Sequence, residues 1–86
     1  MYIQAEISYY PIGEADPAPV IERFIGRLET DGLTVEIGTM STTVTGPSAA
    51  VFEALRNAFE STPTLGHRVM VVKVLAGPVR GTERGN

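Results

Sequence analysis

At 86 residues, with 43% hydrophobic and 20% charged side chains, the chain has the length and balance of one globular domain around a single modest core. Its net charge of −3 argues against a nucleic-acid surface, and its lack of cysteine rules out a disulfide framework or a thiolate metal site. Met1 to Glu6 has neither the basic start nor the apolar core of a signal peptide, and no apolar run is long enough for a bilayer. No membrane contact is expected, and the cytoplasm is the expected location.

Residues 2–10 alternate, with Ile3, Ala5, Ile7 and Tyr9 on one side and Gln4, Glu6, Ser8 and Tyr10 on the other. That is the period of a strand with one apolar face, and Pro11-Ile12-Gly13 is expected to end it. Asp16 as N-cap and Pro17 at the first helical position predict a helix with Val20, Ile21, Phe24, Ile25 and Leu28 as its apolar stripe. Thr30-Asp31-Gly32 closes it, Gly32 being suited to a left-handed cap. A second strand is predicted from 33 to about 40, and a third from beyond Ser41 to Gly46. Pro47 and Ser48 open a second helix, with Val51, Phe52, Leu55, Ala58 and Phe59 as its buried stripe. Residues 68–75 form the most apolar strand, with Met70, Val72 and Val74 beneath the helices and Val69, Val71 and Leu75 on the side of Lys73. Gly77-Pro78 stops it, which leaves a domain over 1–78 and a flexible tail over 79–86.

The order β-α-β-β-α-β with right-handed crossovers predicts an α+β, ferredoxin-like sandwich. Its four-stranded antiparallel sheet would have the first and third strands at the centre and both helices on one face. The free face would carry Gln4, Glu6, Ser8, Tyr10, Glu36, Gly38, Met40, Thr43, Thr45, Val69, Val71 and Lys73. That mixture is too apolar for full solvation and too polar for a dry core. It fits a homodimer or homotetramer packed through this face, with a small pocket at the interface.

The stretch from Gly38 to Gly46 is crowded with short hydroxyl side chains and bounded by glycines. Read as a hairpin, it offers hydroxyls, Met40 and backbone amides to something small, such as a polar heterocycle or an oxyanion. Threonine's preference for strands is the plainer explanation of the same composition.

Several segments together carry a family resemblance. Tyr9-Tyr10-Pro11-Ile12-Gly13 resembles the strand-Pro-hydrophobic-Gly signature of the thiamine-binding, YkoF-like proteins. Val35-Glu36-Ile37-Gly38-Thr39-Met40-Ser41-Thr42-Thr43-Val44 resembles that family's hairpin segment, and Val51-Phe52-Glu53 and Arg68-Val69-Met70-Val71-Val72-Lys73 are similar too. The resemblance covers nearly the whole chain. It implies binding of thiamine or its hydroxymethylpyrimidine moiety without catalysis. Ser41 stands where a glycine is usual and Thr45 where an acidic residue is common, while Gly77-Pro78 replaces a polar, Arg-containing strand end. The first two departures bear on ligand preference and the third on assembly.

The candidate ligand-binding residues are Ser8, Tyr10, Glu36, Met40, Ser41, Thr42 and Thr43. Ser8, Thr42 and Thr43 would supply hydroxyls, and Glu36 would accept from the exocyclic amine or pair with a protonated ring nitrogen. Tyr10 and Met40 would sandwich the ring. Glu6 or Glu36 would suit a cationic thiazolium, although Glu6 reads more simply as a solvated strand residue. No catalytic residue, metal ligand or cofactor is expected beyond the ligand itself, and lone His67, without a neighbouring carboxylate or serine motif, reads as structural or solvated. Lys73 and Arg68 read as face-breaking charges or intersubunit ion-pair partners. Two other readings stand beside the vitamin binder. One is a regulatory or assembly module with no such ligand, and the other a small dimeric enzyme using Tyr10, His67 or Glu36 on an aromatic substrate.

Overall fold

A computed structural model describes residues 1–30 and 32–77. Asp31 of the expected helix closure, the stop at Pro78 and the expected tail 79–86 lie outside the described residues. The elements run β1 (Tyr2–Pro11), α1 (Ala18–Leu28), β2 (Thr34–Ile37), β3 (Thr42–Pro47), α2 (Ser48–Ser61) and β4 (Arg68–Ala76). All pairings are antiparallel and the sheet order is β2-β3-β1-β4, so the first and third strands are central as the pattern required. This is the ferredoxin-like βαββαβ sandwich.

The register explains the two faces. Ile3, Ala5, Ile7 and Tyr9 are buried with Val44 under the helices. On the free face Glu6 lies between Thr43 and Lys73, and Thr43 in turn faces Glu36, which makes one polar row across all four strands. Ser8 faces Val71 and Tyr10 faces Val69, which makes a more apolar corner. Gly38 and Met40 are not part of this face. β2 ends at Ile37, because Gly38 N–H turns back to Ser41 O at 2.8 Å and closes the hairpin there.

The helices supply the rest of the core. In α1, Val20, Phe24 and Leu28 are buried, while Ile21 and Ile25 pack partly buried along its rim. The helix starts later than expected. Pro17 is the cap and its carbonyl accepts from Ile21 N–H at 3.0 Å, while Asp16 Oδ1 accepts only a long 3.4 Å bond from Ala18 N–H. The end is also earlier. Glu29 takes the cap position, and Gly32, at φ +87°, serves the loop to β2.

In α2 the buried residues are Val51, Ala54, Leu55 and Ala58, and Phe52 is 51% exposed, contrary to the expected stripe. At about 100° per residue, position 52 sits a quarter turn from the centre of that face. Arg68 is not a free charge. Its guanidinium donates to Phe59 O at 2.9 Å and Thr62 O at 2.8 Å, which satisfies carbonyls left over at the end of α2. Buried Thr62 adds a hydroxyl bond to Ala58 O at 2.7 Å.

Candidate functional site

One recess arises from unequal strand lengths. β3 begins at Thr42, opposite Ile7, but β1 continues to Pro11. Beyond Ile7, therefore, β1 has a strand neighbour on its β4 side only. α1 passes over this open margin and the β2–β3 turn stands beside it, enclosing a cleft of about 240 Å³. The strand contributes Ile7, Ser8, Tyr9 and Tyr10, the helix Ile21, Phe24 and Ile25, and the hairpin residues 38–42.

The sequence candidates divide between two recesses. Ser8, Tyr10, Met40, Ser41 and Thr42 all line the cleft. Thr43 points to the free face, where it lines a shallow depression of about 290 Å³ with Gln4, Glu6, Lys73, Val74 and Leu75. Glu36 lines neither recess and extends the polar row toward the sheet edge. His67 is exposed and lines neither recess, and its carbonyl accepts from Ile12 N–H at 2.8 Å. Tyr10, His67 and Glu36, the residues of the enzymatic reading, are thus not gathered in one recess. Among the described residues, no group of three or more His, Asp or Glu side chains is placed to hold a metal ion.

Glu6 has a structural connection that its exposed position concealed. Its Oε2 accepts from Ser41 Oγ at 3.1 Å, and its Oε1 lies 3.9 Å from Lys73 Nζ. Both contacts are exposed and each is weak, but together they tie the hairpin tip to the sheet. Ser41, where the family resemblance implies glycine, supplies the hydroxyl of that tie.

The apolar wall from α1 was missed by reasoning from the sequence alone. Ile21, Phe24 and Ile25 read there simply as core. The available signal was the width of the stripe: five large apolar residues in an 11-residue helix are more than the narrow sheet beneath can cover.

Tyr9 forms the floor. Its ring stacks on Phe24 with centroids 4.0 Å apart and planes 5° from parallel, and meets Phe59 edge-on at 6.5 Å. Its hydroxyl is buried and has no hydrogen-bond partner among the described residues. Burial raises the phenol pKa above its usual value, the Arg68 cation opposes the rise and Glu14 adds to it. The hydroxyl therefore stays protonated and contributes only a desolvation penalty. Tyr9→Phe is expected to leave stability unchanged or raise it by about 1 kcal/mol in urea unfolding. A loss of similar size would instead reveal a hydrogen bond to that hydroxyl.

A comparison with curated protein sequences gives no match. The fold is similar to a candidate thiamine biosynthesis/salvage protein from Thermotoga maritima, with TM-score 0.81 and 16% identity over 99% of this chain and 98% of that one. It is also similar to a DUF77 domain of unknown function from Bacillus cereus, with TM-score 0.77 and 18% identity over 91% of this chain and 78% of that one. A protein from Streptococcus pneumoniae matches with TM-score 0.72 and 19% identity, covering 99% and 97%. These likenesses establish the fold. The sequence model described as thiamine-binding protein matches residues 5–76, and the chain belongs to that family.

Proposed function

We propose that the protein is a non-catalytic carrier that binds thiamine or its hydroxymethylpyrimidine moiety in the cleft between α1 and the hairpin. The observation that carries this reading is the convergence of Ser8, Tyr10, Met40, Ser41 and Thr42 on one recess. The recess combines the hydroxyl-bearing Ser8, Ser41 and Thr42 with the apolar side chains of Ile21, Phe24 and Ile25. At about 240 Å³ it is smaller than the ~300–1,000 Å³ typical of drug-sized ligands. It suits one ring, the pyrimidine, with the thiazolium of thiamine extending toward the rim. Glu6 and Glu36 against the single cation of Lys73 leave the polar row on the adjoining face with an acidic excess, which suits the thiazolium cation.

The free sheet face is proposed to pack against further copies in a dimer or tetramer. Tyr10, Val69, Val71 and Leu75 are exposed there beside the Glu36, Glu6 and Lys73 row. The cytoplasm remains the proposed location, and among the described residues no helix is long and apolar enough to cross a membrane. The same exposed face supports the second reading, an assembly module without a vitamin ligand.

Calorimetric titration with thiamine and with hydroxymethylpyrimidine tests the choice. Binding in the micromolar range, about −8 kcal/mol, supports the carrier. No heat from either, with the oligomer intact, supports the assembly module. Paired substitutions then locate the site. Thr42→Val is expected to weaken binding about tenfold. If Thr43→Val carries the loss and Thr42→Val does not, the ligand sits in the depression on the sheet face.

A further inference from the structure

The hydrogen-bonding phase of β1 can be followed into the cleft. Ile12 N–H donates to His67 O at 2.8 Å, in the same register as the β1–β4 pairs. In an antiparallel ladder each residue turns its N–H and C=O to the same neighbour, and successive residues alternate sides. Even-numbered residues of β1 therefore bond to β4, and Ile3, Ala5 and Ile7 bond to β3. The hairpin gives an independent check. The bond from Gly38 N–H to Ser41 O turns Ser41, Thr43 and Thr45 toward β2, which leaves Thr42, Val44 and Gly46 for β1.

Tyr9 is the next residue in the series toward β3. The residue that would face it is Met40, which lies in the turn and is 89% exposed. No loop hydrogen bond reaches the Tyr9 amide or carbonyl among the described residues. Pro11, which comes next in phase, has no N–H to leave unpaired, and proline is tolerated in a strand where the ladder is absent on that side. Yet Tyr9 is only 8% exposed and lines the cleft. At a residue so little exposed, a main-chain donor and acceptor with no partner in the chain are left to pair with what occupies the cleft, and such bonds are strengthened by low local polarity.

We infer that the unpaired main-chain N–H and C=O of Tyr9 are the recognition edge of the cleft, taking a flat heterocycle that carries a ring-nitrogen acceptor beside an exocyclic amino donor. Such a ligand bonds to β1 as the missing continuation of β3 would, in the plane of the sheet, with Ile21 and Ile25 of α1 against one ring face. This inference rests on the proposed ligand cleft and deepens it. Recognition passes to the main chain, while Ser8 and Thr42 trim the periphery.

The test is a titration of the uniformly ¹⁵N-labelled protein, followed through its amide resonances. The probes are hydroxymethylpyrimidine, its analogue with methyl in place of the 4-amino group, thiamine and cytosine. Hydroxymethylpyrimidine is expected to move the Tyr9 amide proton downfield and slow its exchange about tenfold or more. The Tyr10 amide, already bonded to β4, holds its position. The 4-methyl analogue is expected to bind about tenfold more weakly or worse, because it leaves the Tyr9 carbonyl unmatched. Saturation by any probe with the Tyr9 amide unmoved overturns the inference and leaves the carrier reading intact. Binding of cytosine alone, with the Tyr9 shift, sustains the edge and overturns the thiamine reading. Binding of none of the probes overturns both.

Discussion

Phe24→Ala is expected to lower the unfolding free energy by about 3–5 kcal/mol, the largest single effect within this domain. Phe24 is fully buried, and its ring is the stacking partner of Tyr9 across the interface of α1 with the sheet. Truncation removes the apolar area, leaves a cavity beneath α1 and strips the Tyr9 ring of its parallel partner. Collapse is resisted because Val20 and Leu28 hold the helix on either side. Domains of this size have only about 5–15 kcal/mol in hand, so the variant should unfold at markedly lower urea concentration. The same ring walls the cleft, so any ligand affinity should fall with stability. A midpoint close to that of the unmodified protein would mean that α1 repacks freely and that the cleft has no rigid wall.

Gly66→Ala is expected to cost about 2–3 kcal/mol for a reason that has nothing to do with the core. The loop before β4 crosses the turn after β1, and a Cβ on Gly66 would overlap the carbonyl oxygen of Ile12 and come within 3.5 Å of Gly13 Cα. The obstruction is backbone, and it is held from several directions. Ile12 N–H bonds to His67 O, Gly13 has φ +98°, and the Glu14 carboxylate accepts from Leu65 N–H. Relief would require giving up one of these ties. Gly26→Ala provides the comparison. Nothing lies within 4 Å of a Cβ there, and replacing this glycine in the last turn of α1 should stabilise by up to about 0.5–1 kcal/mol. Thermal unfolding of the two variants should show shifts of opposite sign. A Gly66→Ala protein as stable as the parent would show that the crossing opens easily.

The loop crossing also illustrates what a linear reading misses. Gly13 and Gly66 are both recognisable as turn residues, but nothing near either one announces that they meet. The site divides in the same way. Ser8, Tyr10, Met40, Ser41 and Thr42 could be nominated from the hydroxyl-rich hairpin and the end of the first strand, and they line a common cleft. Thr43 sits opposite Glu6, where β3 still covers β1, and so lines the other recess, on the free face it shares with Ser8 and Tyr10. Glu36 follows it there through its pairing with Thr43. The helix wall escaped notice because a buried stripe and a cleft lining are the same apolar pattern until something fails to cover part of it.

The sequence by itself determined the order of elements, the buried faces of the two central strands and the sandwich they form, since these rest on local periodicity and on the handedness of crossovers. On the outer strands Ile37 and Val74, expected inward, are 64% and 46% exposed because the helices do not reach that far. The sequence also carried the family, through short segments in the right order. Only the tertiary structure decided where a ligand cleft lies. That depends on β3 beginning opposite Ile7 while β1 runs on to Pro11. A mismatch between two strands distant in sequence is a property of their register, and local pattern holds no trace of it.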